Sequence, residues 1–241
     1  RLSKTIESYN YQLDRFHFNE AAKILYEFTW NDFCDWYIEI AKLKFYGKDK
    51  KSADIARVVS TSCLQTILKL LHPFTPFITE ELWYNFKPRN AEDLIISEWP
   101  KPLSYYNRAV EADMNNLKNV ITSIRSVRNR MNIPNSKMID LIIKCNDNKK
   151  DFLLGYLDLF KHFTKTEKLS ISSSNKKPMN SATVVSLGIE FYIPLGGLVD
   201  LNKEKERMNK RLNEIDRLLN SINSKLSNKN FLDRAPKDVI L

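Results

Sequence analysis

Arg125, Arg128 and Arg130 fall within six residues of one another, and Lys203, Lys205, Arg207, Lys210, Arg211 and Arg217 recur further along. Guanidinium and ammonium groups at this density are suited to neutralising phosphates, a source of affinity that carries no sequence readout. Lys149, Lys150, Lys161, Lys165, Lys168, Lys176 and Lys177 add charge between these clusters. Glu204, Glu206, Glu214 and Asp216 interrupt the last one, so it is not a uniform basic stripe. Base specificity has to come from elsewhere, through stacking or base-edge contacts such as unpaired RNA loops allow.

The other candidate chemistries are weaker. His17, His72 and His162 are the three histidines. His72, before Pro73, reads as a structural residue at a helix end. His17 reads as a capping or packing residue, and His162, beside Lys161, could meet phosphate or simply solvent. Glu80 and Glu81 are adjacent and cannot face each other on a helix, which argues against a shared acid/base site. Cys34 lies between Phe33 and Asp35 with no positive neighbour to activate a thiolate, and reads as packing. Gly-rich phosphate loops, zinc-protease motifs and paired-cysteine knuckles do not occur. The residues do not describe an autonomous enzyme, and no cofactor or metal site is expected among them.

The elements that must position the basic groups follow from periodicity. The chain has 241 residues, 43% hydrophobic, 28% charged, only 5 Gly, and a net charge of +9. Residues 1–110 hold 15 Lys and Arg against 14 Asp and Glu, and residues 111–241 hold 23 against 15. The excess charge is thus in the second half. Ile6, Tyr9 and Leu13 predict a helix over 4–16, and Ala21, Ala22 and Leu25 restart the pattern after Asn19. Aromatics crowd residues 28–40 more densely than one buried stripe needs. Lys48 to Lys51 read as a solvated connection. Ile55 to Leu70 predict another helix, broken by Pro73, and Pro76 opens a short one over 77–83. Residues 94–100 read as an extended strap.

Val110 to Val127 predict a long helix ending before Pro134. Strands are expected at 138–145, 169–172, 183–187 and 189–193, the last two joined at Leu187-Gly188, with a helix at 152–160. Leu201 to Leu226 alternate gaps of four and three, a heptad seam. Asp233 to Pro236 lead toward a second helix. The fold class expected is mainly α: an antiparallel helical bundle, a small α/β module and a long heptad-patterned helix, with domains at 1–108, 109–196 and 197–241. No stretch reaches the length of a membrane span. The start lacks both Met and an apolar leader, which predicts a piece of a larger chain.

Three phrases carry a resemblance. They are FNEAAKILYEFTWNDFCDWYIEIAK at 18–42; LLHPFTPFITEELW at 70–83, with ISEWP at 96–100; and IPLGGLVDL at 193–201, followed by the heptad helix and KLSN at 225–228. Together they resemble the C-terminal part of bacterial-type valyl-tRNA synthetases, class I aminoacyl-tRNA synthetases, over the whole chain. The second phrase is shared with the isoleucine and leucine enzymes.

The resemblance implies a helical anticodon-binding domain, a linker module and a coiled-coil arm. These would meet the anticodon stem-loop and the elbow of tRNA(Val), in a cytoplasmic, monomeric enzyme. It also implies catalytic and editing domains elsewhere, the catalytic one using ATP with Mg. The tRNA contacts expected are Arg125, Arg128, Arg130, Arg207 and Arg211. Asn31, Asp32, Trp36 and Tyr37 match the first phrase and are expected to be structural, with a face toward the anticodon. His72, Pro73, Phe74 and Pro76 are expected to set a helix angle, and Ser227 and Asn228 to mark the tip of the arm. The alternatives are the same region of an isoleucine or leucine enzyme, or a non-enzymatic RNA-binding or coiled-coil scaffold.

Overall fold

The fold is that of a computed structural model, in which residues 1–104, 106–199 and 201–227 are described. It is mostly helical with one small mixed sheet, and its contacts divide it into two units, Arg1–Ala112 and Asp113–Leu241.

In the first unit, α1 (Leu2–Leu13) places Leu2, Ile6, Tyr9 and Leu13 on one face. They pack against Ala21, Ile24 and Leu25 of α2 (Phe18–Glu27) and against Leu70 of α4 (Lys50–Leu71). α1 closes with two backbone bonds: Phe16 N–H donates to the Leu13 carbonyl at 2.9 Å, and His17 N–H donates to the Gln12 carbonyl at 3.0 Å. That is a Schellman ending, which places Phe16 in the left-handed region at φ 59°.

The aromatic-rich stretch after α2 is not an ordinary helix. Phe28–Ile38 winds as a π-helix before α3 (Glu39–Phe45) resumes α geometry. Closing each turn on the fifth residue stacks Phe28, Phe33 and Ile38 on one side. There they meet Ile67, Cys63 and Tyr37, with the Phe33 and Tyr37 rings stacked 6.0 Å apart. The expected solvated connection at 48–51 is shorter than that: Asp49 caps α4, accepting from Lys51 N–H, and Lys50 is already helical.

α5 (Pro76–Phe86) begins on Pro76, as a missing N–H favours. The strap that follows is extended apart from a single 3-10 turn at Leu94–Ile96, and it is tied to the helices from several sides. The Glu80 carboxylate accepts from Leu94 N–H (2.8 Å) and Ile95 N–H (3.2 Å). Trp83 Nε1 donates to the Glu92 carbonyl and Trp99 Nε1 to Asn10 Oδ1, both at 3.0 Å. Glu80 is thus a turn cap rather than half of an acid/base pair.

Tyr9 is fully buried and donates its hydroxyl to the Leu70 carbonyl at 2.7 Å, in the last turn of α4, where helix carbonyls lack intrahelical donors. Burial pushes its pKa up to about 12. The native state therefore holds the proton at pH values where the unfolded chain, titrating near 10, has lost it. This contribution to stability is complete below pH 10 and disappears as the pH rises to 12, a loss of roughly 2–3 kcal/mol. Tyr9→Phe should remove that part of the alkaline slope in denaturant titrations while costing about 1 kcal/mol at neutral pH. An unchanged slope would show that Tyr9 does not control it.

In the second unit, α6 (Arg108–Arg130) buries Leu117, Val120, Ile121, Ile124 and Val127 at helical spacing and ends before Pro134, as expected. β1 (Ile139–Lys144) alternates buried Ile139, Leu141 and Ile143 with outward residues. The chain then passes through α7 (Asp147–Gly155) and α8 (Leu157–Thr164), two helices where one was expected, to β2 (Thr166–Ile171). β2 is parallel to β1, as such a crossover requires. β3 (Ser181–Ser186) and β4 (Ile189–Pro194) form a hairpin with both turn residues, Leu187 and Gly188, at positive φ. The strand order is β2-β1-β4-β3, with β4 antiparallel to both neighbours.

The final element, α9, spans Leu201–Leu226. Met208, Leu212, Ile215, Leu219, Ile222 and Leu226 of its seam are each more than 40% exposed. Asn228 and the second helix expected beyond Asp233 lie outside the described residues. No helix among the described residues is long and apolar enough to cross a membrane.

Candidate nucleic-acid interface

The end of α6 and the first half of α9 carry the expected phosphate contacts, and the structure sorts them. Arg128 is 3% exposed. Its Nη1 donates to the Thr164 carbonyl at 3.0 Å, and its Nη2 donates to the carbonyls of Pro134 (2.8 Å) and Lys137 (2.6 Å). Burial, and then the neighbouring charge of Arg125, pull its pKa down. The expectation that Arg128 meets phosphate is corrected: its guanidinium is turned inward and staples the end of α6 to the loop before β1 and to the end of α8. Its position explains this, since Leu117, Ile121, Ile124 and Arg128 fall on one helical face.

Arg125, Arg130, Arg207 and Arg211 are exposed. Arg125 Nε donates to the Phe163 carbonyl at 3.1 Å, with its guanidinium 5.2 Å from the Phe163 ring. Arg207 Nη2 donates to the Arg130 carbonyl at 2.8 Å, which brings the start of α9 to the end of α6. Arg211 lies one turn further along α9 and pairs with Glu214 at 3.0 Å. An exposed pair of this kind holds little energy and exchanges readily for phosphate. His162 is half-buried against the Phe163 ring.

The first unit carries little net charge. Asp32 lies 3.7 Å from Arg1, Asn31 is exposed, and Trp36 and Tyr37 are half-buried. His72 Nδ1 meets Thr79 Oγ1 at 2.9 Å, and the Thr79 hydroxyl donates to the Thr75 carbonyl at 2.8 Å, so the His-Pro turn is a structural joint. Cys34 packs beside Phe28, Phe33 and Ile67, and burial raises its pKa, which keeps it a thiol.

Sequence reasoning overlooked the turn between α1 and α2. Tyr11, Phe16 and Phe18 are 54%, 78% and 50% exposed, and the Arg15 guanidinium lies 3.6 Å from the Tyr11 ring centre. Periodicity singles out the residues a helix buries, and none of these four lies on that stripe. Among the described residues, no group of three or more His, Cys, Asp and Glu is placed to hold a metal ion.

A helical first unit with exposed rings, followed by a sheet module and a basic exposed helix, has counterparts among known proteins. The chain belongs to the family described as the anticodon-binding domain of tRNA ligase, which matches residues 1–143. Residues 200–241 match a second family, the valyl tRNA synthetase tRNA binding arm. Over its whole length the chain is similar to the valine–tRNA ligases of Enterococcus faecalis and Listeria monocytogenes, each 37% identical, and to that of Bacillus subtilis, 35% identical. It spans 27% of the length of each of these relatives.

Proposed function

We propose that this chain is the tRNA-binding portion of a cytoplasmic, monomeric valine–tRNA ligase. It would hold valine tRNA by the anticodon stem-loop and by the elbow. The match of residues 200–241 to a tRNA-binding arm of the valine enzymes carries this reading, and it favours valine over isoleucine or leucine. Arg125, Arg130, Arg207 and Arg211 would contact backbone phosphates, and the helical unit would meet the anticodon. The rest of the enzyme would supply activation of valine with ATP and Mg, and editing. This portion would convert remote binding energy into placement of the acceptor end.

Filter binding of the 241-residue chain tests the reading. Valine tRNA should be retained about tenfold better than the same tRNA carrying a substituted anticodon, the size of one or two lost base contacts. Equal retention of the two would count against anticodon recognition, and retention of neither would count against tRNA binding altogether.

A further inference from the structure

Phe16 occupies a backbone position that its own β-carbon disfavours. Left-handed φ crowds any side chain against the following carbonyl, which is why this place in a Schellman ending is usually Gly or Asn. α6 ends in the same way, with Met131, Asn132 and Ile133 N–H groups returning to Val127, Asn129 and Arg128 carbonyls, and there the left-handed residue is Asn132. Among the described residues at positive φ, Phe16 is the one aromatic.

The turn from α1 to α2 accounts for the left-handed backbone, but among the described residues no core contact accounts for a Phe there. The Phe16 ring is 78% exposed, and its ring neighbour is Phe18, 6.1 Å away, edge to face and itself half exposed. The two helices have already filled their shared core with Ile6, Tyr9, Ala21 and Leu25. The turn is nonetheless fixed, by the two Schellman bonds and by His17 Nδ1 meeting Gln12 Oε1 at 2.9 Å. A large ring kept where Gly or Asn is favoured, with no core contact to reward it, points to an external partner.

We propose that Tyr11, Arg15, Phe16 and Phe18 form a preformed stacking platform for unpaired bases of an RNA loop. This deepens the tRNA reading and rests on it. The Arg15 guanidinium lies 3.6 Å from the Tyr11 ring centre, and Phe16 follows it directly in the chain, 6.1 Å from Phe18. Such planes take bases of any sequence, since every base has a π face. Asp14, Arg15 and His17 interrupt the rings with polar groups. A protein interface core is by contrast apolar and depleted of charge.

The test uses the full chain, a valine tRNA transcript carrying 2-aminopurine in its anticodon loop, and a blunt RNA duplex. Phe16→Gly should raise the melting temperature by about 3 °C and weaken binding of the transcript about tenfold. It should also relieve the fluorescence quenching that stacking causes, and leave duplex binding unchanged. Phe18→Ala should weaken transcript binding in the same way without raising the melting temperature. Tight binding by wild type that neither variant weakens would overturn the platform and leave the tRNA reading standing. Equal losses on transcript and duplex would also overturn it, since unpaired bases would not be what is recognised. A lower melting temperature for Phe16→Gly would remove the strain premise. No binding by wild type would overturn the tRNA reading, and the platform with it.

Discussion

Arg128→Met should lower the stability of the second unit by about 3–5 kcal/mol, because it strips three carbonyls of their charge-assisted donor. Met keeps an unbranched apolar stem but is shorter than Arg, so the loss combines the missing hydrogen bonds with a smaller packing term. The Thr164 carbonyl is left without its Arg128 donor in a buried setting, and the Pro134 and Lys137 carbonyls lose theirs in a partly buried one. Arg128→Lys keeps the charge but cannot span three acceptors, so it should recover only part of the loss. Arg130→Met, on an exposed side chain, should stay within about 0.5 kcal/mol of wild type. Urea unfolding followed by a probe in the sheet module would rank the three. Equal midpoints for Arg128→Met and Arg130→Met would refute the staple. Loss of RNA binding by Arg128→Met at full stability would restore the phosphate role.

The second large effect is on salt dependence. If Arg125, Arg130, Arg207 and Arg211 each neutralise one phosphate, raising monovalent salt from about 50 to about 200 mM should weaken tRNA binding roughly 50- to 150-fold. Replacing all four by Gln should flatten the logarithmic slope by about three. Gln keeps the side chains polar and leaves the buried staple untouched, so the folded state should survive. A slope that does not change would place the phosphate contacts elsewhere on the basic second half. The stacking platform predicts a different signature, since the Phe16 and Phe18 rings carry no charge. The Phe16→Gly deficit should therefore be nearly the same at both salt levels.

Much of this architecture was legible in the residues. β-branched runs located β1, β3 and β4, and the 3.6-residue stripe located α1, α4 and α6. β2 starts earlier than expected, at Thr166, because its first half, Thr-Glu-Lys, has little apolar alternation and is held by pairing with β1. The π-helix was invisible because an apolar pattern is matched against periods of two or 3.6. The sequence showed aromatic crowding without showing its cause. Arg128 was open to a better reading: its place on the Leu117–Ile121–Ile124 stripe pointed inward, but a cationic side chain at a helix end is usually taken as solvated. Phe16 gave no local signal, since nothing in Arg-Phe-His-Phe announces a left-handed residue. That conformation is imposed by the need to turn α1 back onto α2.

The π-helix also settles a question of angular phase. α2 and α3 lie on either side of it, and both pack on α4. Leu25 and Ala41, sixteen residues apart, are both buried. In an uninterrupted α-helix they would point about 160° away from each other. The wide segment winds more slowly and returns the second helix toward the side the first one uses. Residues 28–38 thus act as a gear between two α-helical segments, and their number matters as much as their identity. Removing one residue there would turn every side chain from Glu39 to Phe45 by roughly 80–100° relative to α4, whereas changing exposed Asn31 would turn none of them.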